Sequence, residues 1–223
     1  MRMLQLRVAI ILLALAQPAF AQSRTFVGGA VLADIKKFSG DPSANTLDGT
    51  AVGGGAEAGV MVNDHVSLRV TADVGGKTTT STPIPIGVLA LPTRITAPLT
   101  AFRYVTSNRI VATNVLLGYA FPLRDRVRAS AVGGLSLLHV TRDFSMTGPT
   151  PLERLPAALA PLIVRPHSLI DNVSAATVGA EVAFDLTRHL AVVPHLQVTA
   201  FSLTAGGPGG FAIRPGIGGR WTF

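Results

Sequence analysis

Residues 211–223 read FAIRPGIGGRWTF. In an extended chain successive side chains point to opposite faces. Phe211, Ile213, Pro215, Ile217, Gly219, Trp221 and Phe223 therefore share one face, while Ala212, Arg214, Gly216, Gly218, Arg220 and Thr222 share the other. The terminus of a soluble domain is usually polar and loosely held; this one ends on Trp221 and Phe223. Such a segment needs two different surroundings, an apolar one for its first face and a polar one for the face that carries Arg214 and Arg220.

The same period of two recurs upstream. Val66, Leu68, Val70, Ala72 and Val74 oppose Ser67, Arg69, Thr71, Asp73 and Gly75, and Val178, Ala180, Val182, Phe184 and Leu186 oppose Thr177, Gly179, Glu181, Ala183 and Asp185. Val52, Ala56, Ala58 and Val60 lie opposite a face that holds Glu57 among glycines. The pattern predicts eight strands, over residues 25–38, 50–62, 66–76, 109–121, 127–143, 174–186, 190–203 and 211–223. The connections alternate in length. Short turns lie at Asn63-Asp64-His65, at 122–126 and at Thr187-Arg188-His189, and long loops span 40–49, 77–108, 146–173 and 204–210.

Composition decides what the apolar face meets. Charged residues make up 14% of the chain, against about 25% in ordinary soluble domains. After the N-terminal segment there is no uncharged apolar run of the roughly 18 residues that a membrane-spanning helix needs; the longest candidate, 155–164, is too short and is cut by Pro156 and Pro161. A backbone that meets lipid without helices can satisfy its hydrogen bonds only in a closed β-barrel. The first residues supply the address. Arg2 and Arg7 precede an apolar run from Val8 to Ala16, and Ala19-Phe20-Ala21 has the small-x-small form of a processing site, so residues 1–21 read as a secretory signal peptide. Residues 22–223 then form one barrel domain. The chain has no cysteine, which excludes disulfides, thiolate catalysis and cysteine-held zinc.

These strands and loops, the strand end GYAFP at 118–122 and the closing GRWTF at 219–223 together resemble the small bacterial outer-membrane β-barrels of the OmpA/OmpX type. The resemblance implies an all-β fold, an eight-stranded antiparallel up-and-down transmembrane β-barrel, exported through its signal peptide to the bacterial outer membrane. Short turns then face the periplasm, as do both termini, and long loops face outside. Ile217, Trp221 and Phe223 resemble the signal read by the barrel-insertion machinery, from which Gly219 departs, and Phe223 would close the ring by pairing its strand with the first. The aromatic girdle is thin, with Trp221, Tyr104 and Tyr119 supplemented by Phe, and strand one is out of phase, Phe26 and Leu32 opposing Val27 and Val31.

An eight-stranded barrel is just wide enough for side chains to fill, so an open pore is not expected. The inward faces offer Glu57, Arg69, Asp73, Arg128, Glu181, Asp185, Arg214 and Arg220. Enclosed charges must pair or stay hydrated, and an internal salt-bridge network is the expectation. On the outer side, Lys77, Arg94, Arg103, Arg109, Arg142, Arg154 and Arg165 suit the phosphates of lipopolysaccharide; outer-membrane lipid, lipopolysaccharide and the insertion machinery are the expected partners. Residues 77–108 suit a hairpin that extends the strands, and 152–164 a short interrupted helix over the barrel mouth. The reading is a structural or surface-interaction role, with a narrow OmpW-like channel for small apolar solutes as the alternative.

Catalytic readings are weaker. Some outer-membrane barrels deacylate lipid A with a His-x-Ser pair and a carboxylate; here His139 and Thr141 share a face with Glu153 downstream, but threonine replaces the serine. His189 and His195 are six strand residues apart, about 20 Å, too far to hold one metal ion. GGGAEAG at 53–59 is followed by no helix pattern, so it reads as a glycine-rich strand and not as a phosphate loop. Asn172-Val173-Ser174 is a sequon without meaning in a bacterial chain. The basic residues are neither clustered nor interleaved with aromatics, as a nucleic-acid site would require. No cofactor or metal is expected.

Overall fold

The structure, a computed structural model, describes residues 24–39, 48–83, 102–148, 165–203 and 209–223. It contains nine antiparallel strands: β1 (Thr25–Ser39), β2 (Gly49–Met61), β3 (Val66–Val74), β4 (Thr78–Pro83), β5 (Arg103–Arg124), β6 (Val127–Thr147), β7 (His167–Asp185), β8 (Leu190–Ser202) and β9 (Gly209–Thr222). Neighbours run β3-β2-β1-β9-β8-β7-β6-β5-β4, and β3 also pairs with β5. That last pairing closes the sheet into a ring. β3 lies against Val111 to Tyr119 of β5 and β4 against Arg103 to Asn108, so both occupy one of eight positions around the barrel. The last residue joins the seam: the Phe223 amide donates to the Thr25 carbonyl at 2.9 Å. No helix among the described residues is long and apolar enough to cross a membrane.

The outer wall is a continuous apolar band. On β5 it runs Val111, Thr113, Val115, Leu117, Tyr119, Phe121, and on β6 Leu135 and Leu137 are exposed. Ten residues at about 3.3 Å each, tilted by roughly 40°, give a height of about 25 Å, the hydrocarbon thickness that such barrels match. Phe121, Tyr119 and Trp221 mark its lower edge near the turns, where His65 stacks on Tyr119 (centroids 5.9 Å apart) and His189 on Trp221 (5.7 Å). Two histidines thus supplement the sparse aromatic girdle.

Strand one finds its phase here. Leu32 is 3% exposed and Val31 61%, so the even row points inward, and Phe26 lies beneath the guanidinium groups of Arg220 and Arg69, 4.7 and 5.7 Å from its ring. The same row carries Asp34 and Lys36, both buried. Just past the end of β3 the chain crosses Asp34: a side chain at Gly75 would collide with the Asp34 carboxylate and stand 2.9 Å from the Ile110 carbonyl. β5, β6 and β7 run further than alternation predicts, through polar segments such as RYVTSN that backbone pairing extends above the band. β4 with the start of β5 forms the base of the expected hairpin; the remainder, and the helix expected at 152–164, lie outside the described residues, as does the signal peptide.

Two prolines interrupt the ladders of a ring that has no edge on which to hide them. The β1–β9 register skips Ala33 and Asp34 opposite Arg214 and Pro215, and the β7–β8 register skips Val182 and Ala183 opposite Val193 and Pro194. Proline has no N–H to donate, and pairing resumes in the same register on either side.

Candidate functional site

The lumen is built in layers. In the lower lumen, Arg69 of β3 holds Glu181 of β7 in a bidentate pair at 2.7 and 3.1 Å. Arg220 of β9 meets both oxygens of the same carboxylate at 3.0 Å. Arg220 also reaches Glu57 of β2 at 2.7 and 3.1 Å, and Arg69 lies 3.6 Å from Glu57. Four strands from different sides of the ring are tied together by two arginines and two glutamates. Planar guanidinium forks suit this, because each can face two carboxylates at once.

Above this quartet Arg214, 1% exposed, donates from Nε to Asp34 Oδ1 at 3.0 Å and stands 3.9 Å from Asp73. Asn114 donates to Asp73 Oδ2 at 2.7 Å and to Thr71 at 2.6 Å. Lys36 lies 3.3 Å from Asp34 and donates to the carbonyls of Gly76 and Asn108. Ser136, Thr177 and Thr199 form a hydroxyl ladder across β6, β7 and β8. The space left among Asp73, Glu181, His195, Gln197 and Arg220 is about 40 Å³, room for a few water molecules and far below the volume of a ligand pocket. Arg128 and Asp185 pair at 2.9 Å at the half-exposed lower rim.

The upper lumen differs from the sequence reading. Phe38, Ile110, Leu138, Val140, Phe201 and Leu203 are buried there in one cluster, with Phe38 edge-on to Phe201 at 5.7 Å. The interior is therefore ionic below and apolar above. Each of the eight charges named from the sequence lies in an ion pair. Asp34, Lys36 and Asn114 are not among the inward groups expected from the sequence, and His195, weighed there only for a metal ion, lines the lumen as well. Asp34 and Lys36 were legible as the polar members of the even row of strand one, and they would have set its phase.

The other candidates are dispersed. Ile217, Trp221 and Phe223 are exposed on the outer wall. His139 is also exposed there, its Nδ1 sharing a 2.9 Å hydrogen bond with Asn172 Oδ1, while Glu153 lies outside the described residues. His189 sits in a turn and His195 lines the lumen. Residues 53–59 belong to β2. No group of His, Asp or Glu among the described residues suits a metal ion. Of the outer cations, Arg142 pairs with Asp171 at 2.6 Å and Lys77 with Asp143 at 2.9 Å; Arg103, Arg109 and Arg165 are exposed, and Arg94 and Arg154 lie outside the described residues.

A family model, the outer membrane protein β-barrel domain, matches residues 8–208. The chain belongs to this family. As a member of it, the protein is a small β-barrel of the bacterial outer membrane, and the OmpA/OmpX-type resemblance holds. In structure it is similar to Neisserial surface protein A, with a TM-score of 0.57 at 11% identity over 89% of this chain and 97% of that one. It is also similar to Ail, the attachment invasion locus protein of Yersinia pestis solved with the heparin analogue sucrose octasulfate, with a TM-score of 0.50 at 10% identity over 90% and 99%. At such identities the likeness speaks for the fold. Among curated proteins none matches the chain in sequence.

Proposed function

We propose that this outer-membrane barrel is a closed, non-enzymatic element whose role is structural or lies in surface interaction, with function carried by its outer surface instead of its lumen. The observation that supports this is the filled interior. Arg69, Arg214, Arg220 and Lys36 are balanced by Asp34, Glu57, Asp73 and Glu181, and the apolar cluster around Phe38 and Phe201 sits above them. An ion entering from below would have to displace a bidentate pair, then lose its hydration among aliphatic side chains. In planar bilayers the purified barrel is expected to show no stepwise conductance, and in liposomes no swelling with small sugars. Sustained unitary currents would overturn the closed-lumen reading.

The same reading gives Ile217, Trp221 and Phe223 to the insertion machinery, as an exposed apolar edge at the end of the chain. Unaltered lipid A mass spectra in cells that express the protein, with or without His139→Ala, are the outcome expected of a non-enzymatic barrel.

A further inference from the structure

We infer that the outer wall of β5 and β6 carries a site for one phosphate-bearing lipid of the outer leaflet, with Arg109 as its principal phosphate ligand. This rests on the reading that function lies on the outer surface. Arg109 stands at the upper end of the apolar band, immediately above Val111 on the same outward row of β5 and opposite Thr141 of β6. Among the described residues its guanidinium makes one hydrogen bond, Nε donating to the Gly75 carbonyl at 3.4 Å. The side chain is exposed and forms no ion pair among the described residues. The neighbouring carboxylate is already engaged: Asp143 accepts from Lys77 at 2.9 Å, Ser168 at 2.8 Å and Ser107 at 3.3 Å. This patch thus carries two cations and one carboxylate, the latter engaged by Lys77 and two hydroxyl groups, which leaves it net positive.

Position gives the ligand class. Below Arg109 come Val111 and Thr113 on β5 and His139 on β6, and beneath them the wall presents exposed Val115 and Leu117 on β5 and Leu135 and Leu137 on β6, rows on which acyl chains lie. Directly above come the polar Ser107, Asp143 and Ser168. A guanidinium at the junction of hydrocarbon and water needs an anion that resides at that depth, and a lipid phosphate does. Arginine binds phosphate through paired N–H donors, and Lys77, exposed beside it, adds a second point charge. The ligand is therefore amphiphilic, with its phosphate on Arg109 and its chains along the valine and leucine rows.

Native mass spectrometry of the purified barrel in detergent tests this, with diphosphorylated lipid A, dephosphorylated lipid A and inorganic phosphate added in separate arms. The wild-type chain is expected to retain diphosphorylated lipid A, and Arg109→Gln to retain about tenfold less. Lys77→Gln should show a smaller loss, and Arg188→Gln, in a turn at the opposite end, none. Retention should fall with salt. Equal retention by Arg109→Gln, or equal retention of the dephosphorylated lipid, would overturn the site; Arg109-dependent binding of inorganic phosphate alone would overturn its assignment to a lipid. Each variant is first shown to keep the heat-dependent shift of a folded barrel on a gel. Conductance by the wild type would count against the closed-lumen reading while leaving the lipid result to stand or fall by itself.

Discussion

Arg69 and Glu181 lie 112 residues apart in the chain and meet across the lumen at 2.7 Å, both side chains buried. Neither has an ion-pair partner within its own strand, where Arg69 finds only the Ser67 hydroxyl at 3.2 Å, so the pair forms only when β3 and β7 are brought to facing positions in the closed ring. Breaking a buried pair from one side costs about 3–5 kcal/mol, because the other charge is stranded. Glu181→Ala leaves Arg69 and Arg220 with Glu57 as the one remaining carboxylate of the quartet and is expected to lower the barrel's unfolding midpoint strongly in urea titration. Replacing Arg69, Arg220, Glu57 and Glu181 together by apolar residues of similar volume should recover much of the loss. A midpoint unchanged by Glu181→Ala would show that the quartet contributes nothing to stability.

Phe38 and Phe201 set a second test. Truncating a buried Phe costs about 3–5 kcal/mol, and edge-to-face rings add about 0.5–1.5 kcal/mol of coupling. Phe38→Ala and Phe201→Ala are each expected to destabilise, and the double variant by less than the sum. Additive losses would mean that the rings do not interact.

Two glycines with opposite surroundings separate packing from backbone effects. A methyl group at Gly75 collides with Asp34, whereas one at Gly219 meets nothing within 4 Å. Gly75→Ala is expected to cost about 1–3 kcal/mol, and Gly219→Ala to stay within about 0.5 kcal/mol. Equal effects in thermal or urea unfolding would contradict the close approach of β3 to Asp34.

Trp221 is the chain's single tryptophan, so its fluorescence reports one depth. It is exposed on the outer wall and stacked on His189 beside the turn, where amphipathic rings sit at the headgroup level. Lipids brominated near the headgroup should quench its emission more than lipids brominated near the chain ends. Stronger quenching from the bilayer centre would move the membrane boundary away from the turns.

What the sequence determined by itself was the class of the fold and the facing of its best-patterned strands. Along β3, β7 and β9 apolar and polar residues alternate, and in a strand that alternation assigns the two walls without knowledge of any neighbour. Scarce charge and the lack of a helical span then left the closed barrel as the way to satisfy the backbone. Where both faces are apolar, as at Ile110, Val111, Leu116 and Leu117 in β5, alternation is silent, and the upper lumen became visible only when the ring was closed. The surroundings of Phe26 belong to the same kind of knowledge, since it turns inward to lie under two arginines supplied by β3 and β9. So does the choice of partners among the charges. Strand periodicity is a property of near neighbours, whereas the meeting of Arg69 with Glu181, or the exposure of Arg109 beside a saturated Asp143, depends on register between strands far apart in the chain.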